Sequence, residues 1–277
     1  YLIFKPIYSP QNPFIPINQY SLMSKIYSHS RLWLFESCPE AYKIKYIDKT
    51  FPDIPKSVEL FLGDIVHQSL EWFYLEVKSG KSPDADDLIT KFAILWQDNF
   101  SAALRQSREK PEYYFNKGIR FLVDYYYKNK PFVDNTIHIE KRILFPLDES
   151  KEYLIQGYVD RIVLNKEGEY EVHDYKTNDS LKTQEQIDLD RQLAFYHLGL
   201  QEELGKDIKV KLVWHFLAHN KTIHSIRNQE QLNKLRQDTL NLIKNIENSK
   251  VFPFCNKPWC DWCSYKKKNK ISFQTTL

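Results

Sequence analysis

The chain has 277 residues, of which 27% are charged and 15% aromatic, a composition typical of folded proteins rather than disordered ones. Its formal net charge of +3 is mildly basic, which permits nucleic-acid binding without indicating it, because clusters of charge matter more than totals. Only seven glycines occur, which excludes collagen-like and glycine-rich linker sequences.

Neither a membrane span nor a signal peptide is indicated. No run approaches the roughly 18 apolar residues that a span requires, and the N-terminal segment is interrupted by Lys5 and several prolines. The chain is therefore predicted to be cytoplasmic. It also lacks a P-loop, so no NTP-driven motor is expected within it.

The N-terminal half is predicted to be mainly helical after an extended, proline-punctuated lead-in over residues 1–27. A short helix follows Ser30, which could cap it, and Cys38 precedes a second helix with Pro39 in its first turn. A longer helix is predicted to begin around Gly63, and helical patterns continue from about 84 to 130.

The second half changes to the two-residue period of β-strands, rich in Ile, Val and Tyr. Three strands are predicted in succession, the last two joined by a turn at 165–168, and a helix ended by Gly205 follows them. The predicted elements are strands at 138–147, 153–165, 169–177 and 209–218, helices at 183–205 and 228–249, and an irregular tail. Helices alternating with strands in this way predict an α/β fold with a mixed sheet.

The most informative stretch is GYVDRIVLNKEGEYEVHDYKT, residues 157–177. Side chains alternate along a strand, so Asp174 and Lys176 point to the same side, and a hairpin can bring Asp160 beside Asp174. Two carboxylates and a lysine suit a divalent cation that neutralises a scissile phosphate and activates water, which the lysine would position or help to deprotonate. A surface ion pair is the competing interpretation.

Several segments resemble RecB-type nucleases of the PD-(D/E)XK superfamily. GYVDRIV followed by HDYKT resembles the core of these nucleases, and YSHSRLWLFESCPEAYKIKYI resembles their opening helices. GDIVHQSLE resembles the segment that supplies a metal-binding histidine, and RQLAFYHLGL resembles the Gln-x-x-x-Tyr helix after the lysine strand. The cysteine-bearing tail resembles the branch that contains AddB-like and CRISPR-associated exonucleases. The segments keep the family's order from residue 28 to about 265.

The resemblance implies a role for each matching residue. Mg²⁺ or Mn²⁺ would be bound by His67, Asp160, Asp174 and the backbone carbonyl of Tyr175. Lys176 would be the catalytic lysine. Gln192 and Tyr196, four residues apart on one helix face, would support the lysine or contact the DNA backbone.

Glu140 is a further candidate, on the strand before Asp160. It could enter the site, but an ion pair with Lys141 or Arg142 is the favoured interpretation. Without the resemblance, His67 would be interpreted as an interior histidine.

The cysteines form the second constellation: Cys38, Cys255, Cys260 and Cys263. Four thiolates suffice for an iron–sulfur cluster or a structural zinc, whereas four free thiols are the alternative. The resemblance implies a [4Fe–4S] cluster, with zinc as the less favoured occupant because only one Cys-x2-Cys pair is present. In the family pattern the third late cysteine follows that pair, where this chain has Asn269, and Cys255 lies upstream instead.

Two further segments could contact nucleic acid. Lys266, Lys267, Lys268 and Lys270 could bind phosphates or form a solvated tail. The aromatic run Tyr125–Tyr127 could stack on bases or pack between helices.

The resemblance implies one nuclease domain over 1–277, with a restriction-endonuclease-like core and a cysteine-rich C-terminal clasp. Its predicted parts are a helical insertion at about 60–135, a catalytic sheet core at about 137–220, and a tail at 250–270 that packs near Cys38. The predicted activity is metal-dependent DNA cleavage by two metals, as an exonuclease on single strands or DNA ends.

Other functions remain open. The same fold could serve a site-specific or CRISPR-adaptation endonuclease or trimming enzyme, or a non-catalytic DNA-binding module. A zinc-stabilised adaptor would make the hairpin carboxylates incidental. A helicase or a CRISPR integrase subunit, if one acts with this protein, would be a separate chain.

Overall fold

The computed structural model describes residues 24–50, 54–101, 104, 109–258 and 260–269, and only the backbone of 266–269. The strands are β1 (Lys25–Tyr27), β2 (Thr136–Pro146), β3 (Tyr153–Leu164), β4 (Tyr170–Lys176), β5 (Val210–Phe216) and β6 (Lys221–Ile226). The helices are α1 (His29–Ser37), α2 (Pro39–Tyr42), α3 (Val58–Lys78), α4 (Ala85–Asn99), α5 (Pro111–Asn129), α6 (Gln184–Asp188), α7 (Arg191–Leu204), α8 (Gln229–Asn248) and α9 (Asp261–Asn269). A π-helical turn, Lys43–Ile47, continues α2.

The six described strands form one mixed sheet. The path runs β1-β3-β4-β5-β6, and β2 pairs with β3 outside this path. The pairs β1–β3 and β4–β5 are parallel, whereas β2–β3, β3–β4 and β5–β6 are antiparallel. The crossover between the parallel strands β4 and β5 contains α6 and α7, as parallel connections require.

Strand β3 is open in the middle of one edge. Its other edge pairs with β2 from Leu154 to Val163, with one register shift between Thr136 and His138. On the open edge, β1 pairs at 153–155 and β4 pairs at 161–164. Among the described strands none therefore covers β3 between Gln156 and Asp160 on this edge, which leaves a notch in the sheet.

Helices cover the sheet on two sides, which confirms the predicted α/β fold with a central mixed sheet. One buried cluster joins the strands to α1, α7 and α8, and Trp214 is its largest fully buried side chain. The other cluster joins α3, α4 and α5 to Tyr175 and Leu217. The notch in β3 therefore lies between two packed helical layers.

The predicted helices have different boundaries in the structure. Helix α3 begins at Val58, before Gly63, because Ser57 accepts a hydrogen bond from the amide of Leu60. Ser28 rather than Ser30 caps α1. The single helix predicted over 183–205 is interrupted after α6, and Asp190 caps α7 by accepting from the amide of Gln192 at 2.8 Å.

Three elements were missed by sequence reasoning. Strands β1 and β6 are short edge strands without a long apolar alternation, and the tail predicted to be irregular contains α9. Residues 1–23 of the predicted lead-in lie outside the described residues. None of the described helices is long and apolar enough to cross a membrane.

Candidate active site

One half of the predicted site lies at the notch in β3. The β3–β4 ladder pairs Arg161 with His173 and does not continue to Asp160. Instead, the amide of Tyr175 donates to a side-chain oxygen of Asp160 over 2.9 Å. His67 reaches the same place from α3: its Nε2 donates to the Tyr175 carbonyl at 2.7 Å, and its Nδ1 lies 3.4 Å from Asp160 Oδ2.

The second half of the site surrounds Lys176 at the end of β4. Its ammonium group lies 2.7 Å from Asp174 Oδ2 and donates to Gln192 Oε1 at 2.8 Å. Gln192 Nε2 in turn donates to Asp174 Oδ1 at 3.0 Å and to the Tyr196 hydroxyl at 3.3 Å. Gln192 thus orients the lysine and the carboxylate at the same time.

All seven predicted site residues therefore lie in one place, although His67 and Tyr196 are far apart along the chain. Electrostatic interactions connect the two halves. The charge of Asp160 contributes to raising the pKa of Asp174, and the charge of Lys176 contributes to lowering the pKa of Asp160. The roles assigned to these residues stay predictions.

Glu140 belongs to this site, which corrects the sequence interpretation. Lys141 pairs with Glu203 at 2.7 Å and Arg142 donates to Gln156 at 2.7 Å, so neither is the partner of Glu140. The ligand atoms of Glu140, His67 and Asp160 all lie within 4.8 Å of one another.

The backbone explains why Glu140 reaches the site. It lies opposite Asp160 in the β2–β3 pairing, between the pairs Ile139–Arg161 and Lys141–Val159. Its φ of +48° is in the left-handed region, which non-glycine residues rarely adopt within a strand. Such strain is concentrated at functional sites, but no local pattern in the sequence revealed it.

Burial and neighbouring charges lower the pKa of one acidic residue of the site and raise the pKa of two others. Burial opposes ionisation of Asp160, but His67, the amide of Tyr175 and Lys176 together outweigh it and lower the pKa of this carboxyl. Burial, with Lys176 only partly compensating, raises the pKa of Asp174. Burial followed by the charges of Asp160 and Glu71 raises the pKa of Glu140 to about 8.

The two basic groups are held in their charged forms. Burial disfavours the imidazolium of His67, yet Asp160, Asp174 and the Tyr175 carbonyl together outweigh burial and raise the pKa of His67 to about 9. Burial likewise disfavours the ammonium group of Lys176, and Asp174 more than compensates, so the pKa of this lysine is raised. Lys176 is therefore a cation at neutral pH.

The donor set fits a hard divalent cation. Carboxylate and carbonyl oxygens are the ligands that Mg²⁺ and Mn²⁺ prefer, and one imidazole is compatible with Mn²⁺. Two carboxylates as close as Glu140 and Asp160 repel each other when both are ionised, and a cation between them would remove that repulsion.

Two glycines allow the close packing that assembles the site. Gly63 lies one helical turn before His67, and a Cβ there would be 3.1 Å from Thr177 Oγ1, so α3 can approach the end of β4. A Cβ on Gly157 would lie 2.5 Å from a ring carbon of Tyr196. Two of the segments that carry the resemblance, GDIVHQSLE and GYVDRIV, thus begin with a glycine that allows close packing.

Replacing Gly157 with alanine should destabilise the protein by about 1–3 kcal/mol, because the added methyl overlaps the Tyr196 ring. Urea-induced unfolding would measure this loss. In a Tyr196→Leu variant, Gly157→Ala should lower the free energy of unfolding much less than it does in the parent protein. An equal loss in both backgrounds would contradict the proposed contact.

The remaining nucleic-acid candidates have mixed outcomes. Tyr125 is buried, with its hydroxyl 2.6 Å from that of Tyr74 and 3.2 Å from that of Tyr175, so it packs in the core and cannot stack on bases. Tyr127 is exposed. The side chains of Lys266–Lys268, and Lys270 as a whole, lie outside the described residues.

The four cysteines are also brought together, and none of them forms a disulfide. Cys38 lies between α1 and α2, and it meets the tail residues Cys255, Cys260 and Cys263. The tail therefore packs near Cys38.

Comparisons with known proteins bear on the family and the fold of the chain. The family model of the PD-(D/E)XK nuclease superfamily matches residues 26–267. A search of curated proteins found no match. A solved structure of a presumed exonuclease from Eubacterium rectale has a TM-score of 0.51 and 15% identity, over 92% of this chain and 94% of that chain. The structure of SSO0001 has 17% identity over 76% and 84% of the two chains, but its TM-score of 0.31 supports no conclusion.

Proposed function

The chain belongs to the PD-(D/E)XK nuclease superfamily, and we propose that it is a metal-dependent deoxyribonuclease that degrades DNA from ends or in single-stranded regions. One observation carries the proposal: Lys176, two aspartates, His67 and a backbone carbonyl converge at a notch in the sheet. The description of the Eubacterium rectale protein as a presumed exonuclease supports a preference for DNA ends.

The cation would be held by His67, Asp160, Asp174 and the carbonyl of Tyr175, with Glu140 as an additional ligand. The set of donors is large enough for two ions, which is the basis for proposing a two-metal reaction. When bound, divalent cations supply neutralisation of phosphate charge and acidify water.

The protein's own residues would orient the substrate and stabilise the charge that develops on it. Lys176, whose pKa is raised by Asp174, would act as a cation that positions the attacking water and stabilises the phosphate. Gln192 is a positioning residue because it holds Lys176 and Asp174 together. The helix start at Asp190 fixes Gln192 in turn.

The proposal is tested with end-labelled single-stranded, linear double-stranded, gapped and circular DNA, each incubated with Mg²⁺ or Mn²⁺ and with EDTA. Metal-dependent shortening of linear and single-stranded substrates, with intact circles, is the expected result. Cutting of double-stranded circles would instead show an endonuclease. Absence of cleavage on every substrate would overturn the proposed activity and favour a DNA-binding module.

Replacing Glu140 with glutamine should raise the Mg²⁺ concentration needed for half-maximal cleavage by about tenfold or more, the size of effect seen when partners of a metal site are removed. The maximal rate at saturating metal should fall much less, because Lys176 is unchanged. Metal titrations of the cleavage rate measure both quantities.

Glu203→Gln is the matched control for this variant. Glu203 has the same side chain and pairs with Lys141, the neighbour of Glu140 on β2. Its metal requirement should be that of the parent protein. If Glu140→Gln also kept the parent's metal requirement, Glu140 would not be a ligand.

A further inference from the structure

The four cysteines form a compact group that the nuclease reaction does not use. The sulfur of Cys263 lies 4.0 Å from that of Cys38 and 3.6 Å from that of Cys255. All four sulfurs, including that of Cys260, lie within 4.8 Å of one another. Cys38 and Cys263 are buried, and apolar side chains including Leu34, Phe254 and Trp262 pack around the group.

These distances test the [4Fe–4S] cluster that the resemblance implies. In such a cluster each cysteine binds a different iron at a corner of a cube. The sulfurs are then separated by the iron–iron spacing and by two outward Fe–S bonds, which places them well beyond 4.8 Å. The observed spacing of the thiols does not fit a cubane cluster.

A single metal ion with tetrahedral coordination requires a much smaller separation between the cysteine sulfurs. With Zn–S bonds of about 2.3 Å, the sulfurs of a tetrahedral four-cysteine site lie about 3.8 Å apart. The two sulfur separations of 4.0 and 3.6 Å bracket this value. We propose that Cys38, Cys255, Cys260 and Cys263 bind one structural zinc ion instead of an iron–sulfur cluster.

The local structure supplies the second pair of ligands that the sequence spacing lacks. Cys260 and Cys263 are the Cys-x2-Cys pair at the start of α9. The other two come from adjoining segments, since the amide of Glu40, two residues after Cys38, donates to the carbonyl of Pro253, two residues before Cys255. Cys255, the ligand that departs from the family pattern, is thus positioned like the others. The positions of both pairs are consistent with a closed four-thiolate site, the usual form of structural zinc.

The zinc would connect the beginning of the domain to its end. Cys38 follows α1, and Glu36 on α1 accepts from Arg191 at 2.9 Å. Arg191 begins α7, the helix that carries Gln192 and Tyr196. A link that closes so long a chain segment restricts the unfolded state strongly, and its role would be to stabilise the fold on which the active site is built.

The test is the metal content of the full chain, produced in iron-supplemented medium and purified without oxygen, so that a labile cluster would survive. We expect about one zinc per chain, almost no iron and no broad visible absorbance. Cobalt exchanged for zinc should give the intense visible bands of a tetrahedral thiolate site. This measurement does not depend on DNA cleavage, so it stands apart from the outcome of the nuclease assays.

The Cys255→Ser variant should lose most of the zinc and melt at a lower temperature than the parent protein. Ser264 is next to Cys263 but has no thiol, so the Ser264→Ala variant should keep the zinc content and the melting temperature of the parent. The wild-type protein decides the proposal even if the cysteine variant fails to fold. About four irons per chain with visible absorbance, or a chain without bound metal, would overturn it.

Discussion

Replacing Lys176 with alanine should reduce DNA cleavage by about 10²–10⁴-fold, the range that a positioned proton-transferring or charge-stabilising side chain contributes. The ammonium group lies 2.7 Å from Asp174, and its raised pKa keeps it charged. Its removal would take away the cation that we propose orients water and stabilises the phosphate. Single-turnover cleavage of an end-labelled oligonucleotide at saturating Mn²⁺ measures the loss.

Lys211→Ala is the matched control for this substitution. Lys211 also lies on a strand and pairs with a carboxylate, Glu171, at 3.1 Å, but it is remote from the notch. The control should cleave at the parent rate. Both variants should unfold cooperatively near the parent temperature, and cleavage by Lys176→Ala within a few-fold of the parent would refute the assigned role.

Lowering the pH from 6.5 toward 4 should destabilise the protein strongly. Burial, reinforced by Arg161, lowers the pKa of His173 to about 4 from an ordinary value of 6.5. Between these values the unfolded chain binds a proton that the folded chain excludes, so stability is complete above pH 6.5 and is lost as the pH falls. A difference of this size corresponds to about 3 kcal/mol for His173 alone.

The structural cause is a buried cationic and aromatic network behind the active site. The His173 ring stacks on that of His215, with centroids 5.2 Å apart, and its Nδ1 lies 3.1 Å from the Arg161 guanidinium. Burial and these neighbours also lower the pKa of His215 well below its ordinary value. Burial and the charge of Arg161 thus oppose a positive charge on His173, and Glu171, 3.5 Å from His173 Nε2, offsets them only in part.

Denaturant unfolding at pH 7.5, 6.5, 5.5 and 4.5 measures the effect in EDTA, which removes metal binding as a variable. His173→Gln should show a shallower dependence of unfolding free energy on pH, by about one proton. The exposed His224→Gln should retain the parent dependence. A parent-like slope in His173→Gln would show that this histidine does not cause the acid lability.

Much of the fold was predictable because its elements have strong local periods. The alternation in 153–165 and 169–177 predicted β3 and β4, and the apolar spacing after Gly63 predicted α3. Boundaries were less predictable because caps decide them, as Ser57 and Asp190 do here. The edge strand β6 was missed because its exposed residues carry no apolar alternation.

The residues of the candidate site were likewise predictable only in part. Asp174 and Lys176 share a side of β4 by strand geometry alone, and Gln192 and Tyr196 share a side of α7 by helix geometry. Glu140 was named as a candidate, but an ion pair was favoured, because its approach to His67 depends on a left-handed backbone conformation within β2 that the sequence does not reveal. The neighbouring Lys141 looked like its partner only because sequence proximity ignores the alternation of strand side chains.

The sequence by itself determined the α/β class and the hairpin that carries the two aspartates and Lys176, since these follow from periodicity and side-chain chemistry, whereas His67 was predicted only through the family resemblance. Only the tertiary structure decided the notch in β3, the contact between His67 and the Tyr175 carbonyl, and the separation of the cysteine sulfurs. Those features join segments far apart in the chain. Their distances are set by how the helices pack on the sheet, which no local pattern encodes.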